Sequence, residues 1–309
     1  MSNLSILLYF IGVLISFGIL GFMAMWLDRK VTARLQFRIG PPWYQNFADF
    51  VKLAGKEVLI PEKANIFMFI TAPVLGLIAT TTAGAILIMI FKTNAGFPTD
   101  AILILYLLTI PSLSIILGGS ASGNVLAAVG ISREMKLLMG YELPFVCGLV
   151  ISSIKSGLTT SLGNIIQFQQ HSGIILDSPS GIVGFIIGVF ALQGKLGLVP
   201  FDLAEAEGEL AGGALIEYSG ILLGLYKLTK AILIITGPLF LISLYLGGIS
   251  FSSIAGIITG ILKYVIILIL FILIKNTNPR LRIDQTLRLF WGWFTLLGIA
   301  GIFLAMTGW

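Results

Sequence analysis

The chain has 309 residues, of which 57% are apolar and only 11% charged, and its mean hydropathy is +1.02. A soluble domain carries about 25% charged residues, so this composition excludes a water-soluble globular protein. Because hydrocarbon cannot satisfy backbone polar groups, a membrane chain must cross as helices or as a closed barrel. The apolar runs are long and do not alternate, which predicts an all-α integral membrane protein.

Eight apolar runs are long enough to cross a bilayer, for which a helix needs about 20 residues. Within a single transmembrane domain, residues 1–309, the predicted spans are about 4–27, 66–91, 101–121, 141–157, 181–199, 215–247, 254–275 and 287–308. The first run is too long for a signal-peptide core and has no basic leader, so we expect it to be retained. Before the second span, Phe47, Phe50 and Val51 recur at helical spacing opposite Lys52, which predicts an amphipathic helix on the cytoplasmic side.

Basic residues are divided unequally between the two sides of the membrane. The connections after spans one, three, five and seven, with Lys195 counted among them, hold 14 of the 19 Lys and Arg residues. By the positive-inside rule these connections face the cytoplasm, so we expect both termini outside. Twelve of the 14 carboxylates lie on that same side, all except Asp100 and Asp177. The rule does not require this acidic asymmetry, which therefore indicates function.

The connection before the sixth span is the most informative stretch. Its carboxylates are Asp202, Glu205, Glu207 and Glu209, followed by Glu217 at the mouth of the span. Closely spaced carboxylates repel, so one or more should bind a proton near neutral pH and exchange it. The alternative is a solvated acidic loop that pairs with cations on the same face. Glu217 favours the first interpretation, because ionisable groups inside membranes are usually functional.

Four more ionisable residues flank or enter the spans. Glu134 and Glu142 are eight residues apart, on roughly one side of a continuous helix. Glu134 has cations beside it, so an ordinary ion pair is the alternative there, whereas Glu142 has no partner nearby in the sequence. Lys227 and Lys230 lie within the sixth span, where lysines either snorkel or line a hydrated path. We favour the hydrated path.

Cysteine and histidine are almost missing from the sequence. Cys147 and His171 are the single representatives of their types. An iron–sulfur cluster or haem needs more ligands than these two residues offer. The sequence therefore predicts no metal centre and no cofactor bound by this chain alone.

Three segments together carry a family resemblance. The first runs Asp28-Arg-Lys-Val-Thr-Ala-Arg-Leu-Gln-Phe-Arg-Ile-Gly-Pro-Pro and continues with Phe47-Ala-Asp-Phe-Val-Lys-Leu-Ala-Gly-Lys-Glu57. The second joins Pro200-Phe-Asp-Leu-Ala-Glu-Ala-Glu to Glu217-Tyr-Ser-Gly, and the third is Pro279-Arg-Leu-Arg-Ile-Asp-Gln. They resemble the membrane-embedded complex I component known as the H subunit in bacteria and as subunit 1 in mitochondria. The resemblance covers nearly the whole chain.

A departure that follows the second segment bears on the branch of that family. Thirteen residues after Glu217, quinone-reducing members show Ala-Glu-Tyr, whereas this chain reads Thr229-Lys230-Ala231. This feature and the compact chain resemble the branch of membrane-bound energy-converting hydrogenases and archaeal sulfane-sulfur reductases. A quinone-site subunit of a true complex I-type dehydrogenase is the alternative.

The resemblance implies a non-catalytic anchor and coupling subunit of a ferredoxin-linked complex in the cell membrane. Iron–sulfur clusters, and nickel–iron in the hydrogenases, would belong to hydrophilic and large catalytic partner subunits, and antiporter-like membrane subunits would move protons or sodium. The docking surface for the hydrophilic arm would comprise Arg29, Arg34, Arg38, Asp49, Lys52, Lys56 and Glu57. The proton or ion relay would comprise Glu134, Glu142, Asp202, Glu205, Glu207, Glu209 and Glu217, joined by Lys227 and Lys230. Arg280, Arg282 and Asp284 would brace the last two spans.

Two other classes compete with this interpretation. A stand-alone cation transporter could use the acidic cluster as its cation site. Such a transporter should have inverted repeats with paired broken helices, and the sequence has no clear repeat. An intramembrane transferase would need paired aspartate-rich metal loops, which the lone Asp202 and Asp284 do not supply.

Overall fold

The computed structural model describes residues 3–204, 212–251 and 253–308. Within these ranges the chain consists of helices and short connections, without strands. The α-helices are α1 (Asn3–Leu35), α2 (Gln45–Ala54), α3 (Ile66–Thr93), α4 (Asp100–Leu107), α5 (Ile110–Ala121), α6 (Val125–Lys155), α7 (Leu162–Ser172), α8 (Pro179–Lys195), α9 (Gly220–Tyr245), α10 (Ile254–Thr277), α11 (Ile283–Leu287) and α12 (Thr295–Met306). Two 3-10 turns, Ile175–Asp177 and Gly213–Leu215, and a π-helical stretch, Arg288–Phe294, complete the described structure.

Seven helical segments of the described chain are long and apolar enough to cross a membrane: α1, α3, α4 with α5, α6, α9, α10, and the continuous segment from α11 to α12. The shorter apolar helix α8 has 17 residues. At 1.5 Å per residue it is about 26 Å long, close to the hydrocarbon thickness of about 30 Å. The predicted all-α membrane architecture is therefore confirmed.

Two spans begin at different residues from those predicted. Helix α6 begins at Val125, not near residue 141, because Asn124 caps it by accepting from the Leu126 N–H, and the helix runs on through Pro144. Helix α9 begins at Gly220, not near residue 215. There φ is +58°, and a Cβ would lie 2.8 Å from the carbonyl oxygens that precede the second span, so only glycine fits.

Helix α2 is the surface helix expected from the amphipathic pattern, although Val51, expected on the same face as Phe47 and Phe50, is 68% exposed. The Asn46 side chain donates to the Phe22 carbonyl at 2.9 Å, and Leu53 is buried on the same side. Phe47 and Phe50 pack their rings 5.3 and 5.5 Å from that of Phe22. Helix α2 is therefore fixed against the end of α1 by its buried face.

Helix α9 forms the centre of the bundle, since 89% of its most apolar segment is buried. It packs against α1, α2 and α3. At Gly21, a Cβ would lie 2.0 Å from the Ala231 carbonyl oxygen, so this glycine permits the close approach of α1 to α9. The outer helices α1, α10 and α12 keep most of their apolar side chains exposed, as lipid-facing or partner-facing helices do.

Candidate functional site: a charged cavity beside a buried ion pair

A cavity of about 720 Å³ lies between α1, α5, α6, α8 and α9. Its charged lining residues are Arg29, Glu134, Lys195, Asp202, Lys227, Lys230 and Arg280. Hydroxyl groups of Ser112, Tyr218, Tyr226 and Thr229 also contribute to the wall. Ionisable side chains are costly inside a membrane protein and are kept where they line a path for ions or protons.

Helix geometry brings four predicted relay residues to this cavity. Lys227 and Lys230 are three residues apart on α9, and both face it. Glu134 reaches it from α6, where only 7% of the residue is exposed. Asp202 enters from the connection after α8.

Asp202 forms an ion pair with Arg280, and both residues line the cavity. Its Oδ2 atom accepts from Nη2 of Arg280 at 2.7 Å, and the neighbouring Leu281 N–H donates to the Pro200 carbonyl at 3.1 Å. The acidic connection is thus tied to the segment that precedes α11. Arg282 and Asp284 lie at the start of α11 with their side chains exposed.

Glu142 lies beside the cavity in a polar cluster, with 20% of its side chain exposed. Lys195 Nζ donates to Glu142 Oε2 at 3.1 Å and to Thr109 Oγ1 at 2.6 Å. The Thr109 hydroxyl is 3.2 and 3.3 Å from the two carboxylate oxygens of Glu142. Glu142 has no partner nearby in the sequence, but in the structure α8 supplies Lys195 across the helix interface.

Aromatic rings enclose the Lys195 ammonium. Its Nζ lies 5.1 Å from the ring centres of both Tyr141 and Phe145. The Tyr141 hydroxyl donates to Ser112 Oγ at 3.1 Å, on the cavity wall. Lys195 has a side-chain exposure of 0%, so its charge is stabilised by Glu142, Thr109 and the ring faces instead of by bulk water.

Glu217 lies between the Gly213–Leu215 turn and α9 and is half-buried. Its Oε1 accepts a hydrogen bond from the side-chain amide of Asn124, the residue that caps α6. The residues on either side of it, Ile216 and Tyr218, line the cavity. Glu217 therefore connects the cavity wall to the start of α6.

The residues assigned to docking lie around α2 and the end of α1. Arg29 and Asp49 are 3.9 Å apart, and Gln45 Nε2 donates to Asp49 Oδ1 at 3.1 Å. The exposed members of this set are Arg29, Arg34, Arg38, Lys52, Lys56 and Glu57. Between them the loop projects apolar side chains, with Phe37 101% and Ile39 78% exposed. This face is basic, apolar and accessible.

Three predicted relay residues, Glu205, Glu207 and Glu209, lie outside the described residues. The residues on either side of that segment, Ala204 and Gly212, both line the cavity.

Sequence reasoning missed Lys195 and Thr109 as members of the site. Lys195 ends an apolar helix, where a lysine is usually an interfacial anchor, and Thr109 lies within an apolar run. The signal that could have found Lys195 is its register. It lies four residues after the fully buried Ala191, on the inward face of α8.

Comparisons with known proteins agree with this architecture. A family model described as NADH dehydrogenase matches residues 6–306. The H subunit of the NADH-quinone oxidoreductase of Thermomicrobium roseum is 33% identical over 97% of this chain and 94% of its own length. The corresponding H subunit of Brevibacillus brevis is 32% identical over 96% of this chain and 90% of its own.

A solved structure of the membrane-bound sulfane sulfur reductase, an archaeal respiratory membrane complex, contains a similar chain. The two superpose with a TM-score of 0.87 at 26% identity, over 97% of this chain and 99% of that chain. Fold and site thus define a multi-pass helical subunit of a respiratory membrane complex. The chain belongs to the NADH dehydrogenase family, in which it is the H-type membrane subunit of a complex I-like, hetero-oligomeric oxidoreductase.

Proposed function

We propose that the chain is the anchor and coupling subunit of a ferredoxin-linked membrane-bound hydrogenase or sulfane sulfur reductase. It docks the hydrophilic redox arm on the face formed by α2 and the end of α1. It passes the energy of electron transfer to proton or sodium translocation through the charged cavity. Iron–sulfur clusters, and nickel–iron in a hydrogenase, are held by the partner subunits, and this chain has no catalytic role.

The observation that carries the proposal is the grouping of buried and half-buried ionisable side chains. Glu134, Lys195 and Lys230 line one cavity, with Glu142 paired to Lys195 beside it. A solvated acidic loop would not need ionisable residues of three transmembrane helices, α6, α8 and α9, to line the same cavity. Such groups are retained in membranes where ions or protons pass.

The energies involved are of matching size. Moving one charge across a membrane costs about 2.3 kcal/mol per 100 mV of potential. A redox event that shifts the proton affinity of a coupled group by about 2 pKa units changes its free energy by about 2.7 kcal/mol. One titrating group near a redox centre therefore supplies about the energy that one charge needs at 100 mV.

The proposed arrangement places the docking face in the cytoplasm of a cell whose plasma membrane holds the complex. Both termini then lie outside, in agreement with the distribution of Lys and Arg. Antiporter-like membrane subunits contact one of the exposed apolar faces. Affinity purification of the tagged chain in mild detergent should recover iron–sulfur and large catalytic subunits with it, whereas a stand-alone transporter should be recovered alone.

The coupling role is tested by Glu217→Gln in the assembled complex. Glutamine keeps the size of the side chain and can still hydrogen-bond to Asn124, but it cannot exchange a proton. We expect ion translocation in proteoliposomes to be abolished while electron transfer remains measurable. Glu62→Gln, an exposed acid outside the cavity, is the control and should translocate normally. Unchanged translocation by Glu217→Gln would reject the role of this residue.

A quinone site is the second candidate function, favoured by the cavity volume and by the activity named in the curated relatives. Quinone-type ligands prefer mostly apolar pockets with few polar groups, whereas seven charged side chains line this cavity. We therefore expect a hydrophobic quinone analogue to leave electron transfer by the assembled complex unchanged. If the analogue instead inhibits electron transfer, and Thr229→Trp relieves that inhibition by filling part of the cavity, the quinone site is favoured.

A further inference from the structure

Lys195 is a buried cation to which the coupling proposal gives no separate role. Its side chain has 0% exposure, yet it borders the charged cavity on one side and contacts Glu142 on the other. Two of its three N–H donors are directed to Glu142 and Thr109. Lys195 is therefore the direct link between the cavity and Glu142.

Stability alone is a poor reason for this pair. Desolvating two charges costs several kcal/mol per ion, and a buried ion pair can often be replaced by apolar residues of similar volume without loss. A lysine differs from an arginine in that a buried ammonium can release its proton. These two facts favour a role in which the ammonium gives up a proton.

We propose that Lys195 is a proton-exchanging residue that transfers protons between the cavity and Glu142. In one half of the cycle an N–H bond of the ammonium breaks, and its proton passes to water in the cavity. Glu142, which has lost its counter-charge, then forms an O–H bond with a proton arriving from the other side of α6. In the second half that proton crosses the 3.1 Å from Glu142 Oε2 to the neutral amine. One proton enters and one leaves, and the original ion pair is restored.

The surroundings of Lys195 support release towards the cavity. The charged groups that share this cavity are Arg29, Glu134, Asp202, Lys227, Lys230 and Arg280. The Lys195 side chain has 0% exposure, and removal from water disfavours the ammonium form. Glu134, on the same helix as Glu142, is the carboxylate that lines the cavity from α6. The hydroxyl of Thr109 keeps the amine directed at Glu142 through both halves of the cycle.

The proposal rests on the coupling function, and Lys195→Arg tests it separately. Arginine keeps the charge and the ion pair but does not deprotonate in proteins. In the assembled complex we expect normal subunit content and electron transfer, with ion translocation reduced by about a hundredfold, the scale of a lost proton-transfer group. Lys263→Arg is the control, because that lysine caps the end of α9 through the Leu246 and Gly248 carbonyls. The control should translocate normally.

Infrared spectroscopy gives a readout that does not need turnover. Lys195→Met removes the counter-charge, so a protonated carboxyl band should appear at neutral pH and should vanish in the double variant with Glu142→Gln. Wild-type translocation by Lys195→Arg, or no new band in Lys195→Met, would overturn the proposal for Lys195. If Glu142→Gln abolishes translocation in the same experiments, the coupling function survives and only the role of Lys195 is lost. If Glu142→Gln also translocates normally, both the role of Lys195 and the coupling function of Glu142 are rejected.

Discussion

Asn124 joins two parts of the molecule through one side-chain amide. Its Oδ1 accepts from the Leu126 N–H at 2.8 Å and caps α6, while its Nδ2 donates to Glu217. Aspartate is an equally good N-cap, but it has no N–H to donate. One substitution can therefore remove the hydrogen bond to Glu217 and keep the cap of α6.

We predict that Asn124→Asp leaves the stability of α6 within about 0.5 kcal/mol of wild type, because the cap is preserved. The second carboxylate opposes the charge of Glu217 and favours its protonated form. A protonated carboxyl band should appear in infrared spectra of the complex and disappear when Glu217→Gln is added. Asn65→Asp is the control, since Asn65 also caps a helix by accepting from Met68 but has no acidic partner among the residues that the structure describes. A band of equal size in the control would contradict this account.

At Glu142 and Lys195 the sequence was informative only in part. The eight-residue spacing from Glu134 placed both acids on one side of a continuous helix, and both residues lie in α6. Its partner is 53 residues away, and no local pattern reports a contact between α6 and α8. Glu217 was predicted as a site residue from its place beside a span, but its Asn124 contact depends on where α6 begins.

Among the elements, the packing of α1 on α9 depends on the small size of Gly21. A Cβ there would lie 2.0 Å from the Ala231 carbonyl oxygen, whereas a Cβ on Gly12, in the same helix, would meet nothing within 4 Å. We predict that Gly21→Ala lowers the free energy of unfolding by about 1–3 kcal/mol through this overlap. Gly12→Ala should be neutral or slightly stabilising, since alanine is the better helix former. Thermal unfolding in detergent measures both, and equal midpoints would show that the helices do not meet as described.

Element existence was more predictable than element boundaries. An apolar run of about 20 residues predicts a membrane span from its length alone. Every predicted run contains a helix. The start of α6 was missed because charged residues such as Glu134 interrupt the hydropathy, although Asn124 is a good capping residue. The π-helical stretch Arg288–Phe294, where the Thr295 hydroxyl donates to the Phe290 carbonyl at 2.7 Å, has no sequence pattern that would have revealed it.

For the whole molecule, the basic and apolar face around α2 is where we place the hydrophilic arm. Arg38→Glu with Lys52→Glu reverses two exposed charges on this face. We predict roughly tenfold weaker retention of the arm, about 1–2 kcal/mol for two rim charges, and a larger loss at high salt. Lys92→Glu, an exposed residue at the end of α3, should retain the arm as wild type does. Equal subunit content in all three purifications would place the docking face elsewhere.

The central claim is that the charged cavity couples electron transfer to ion movement. Its most direct test is the number of ions translocated per electron pair in proteoliposomes that contain the complex with Glu134→Gln, which neutralises a buried cavity residue at nearly constant size. Asp177→Asn, an exposed acid outside the cavity, serves as the reference. We predict a ratio close to zero for Glu134→Gln, with electron transfer continuing and the reference unchanged. A wild-type ratio for Glu134→Gln would contradict it.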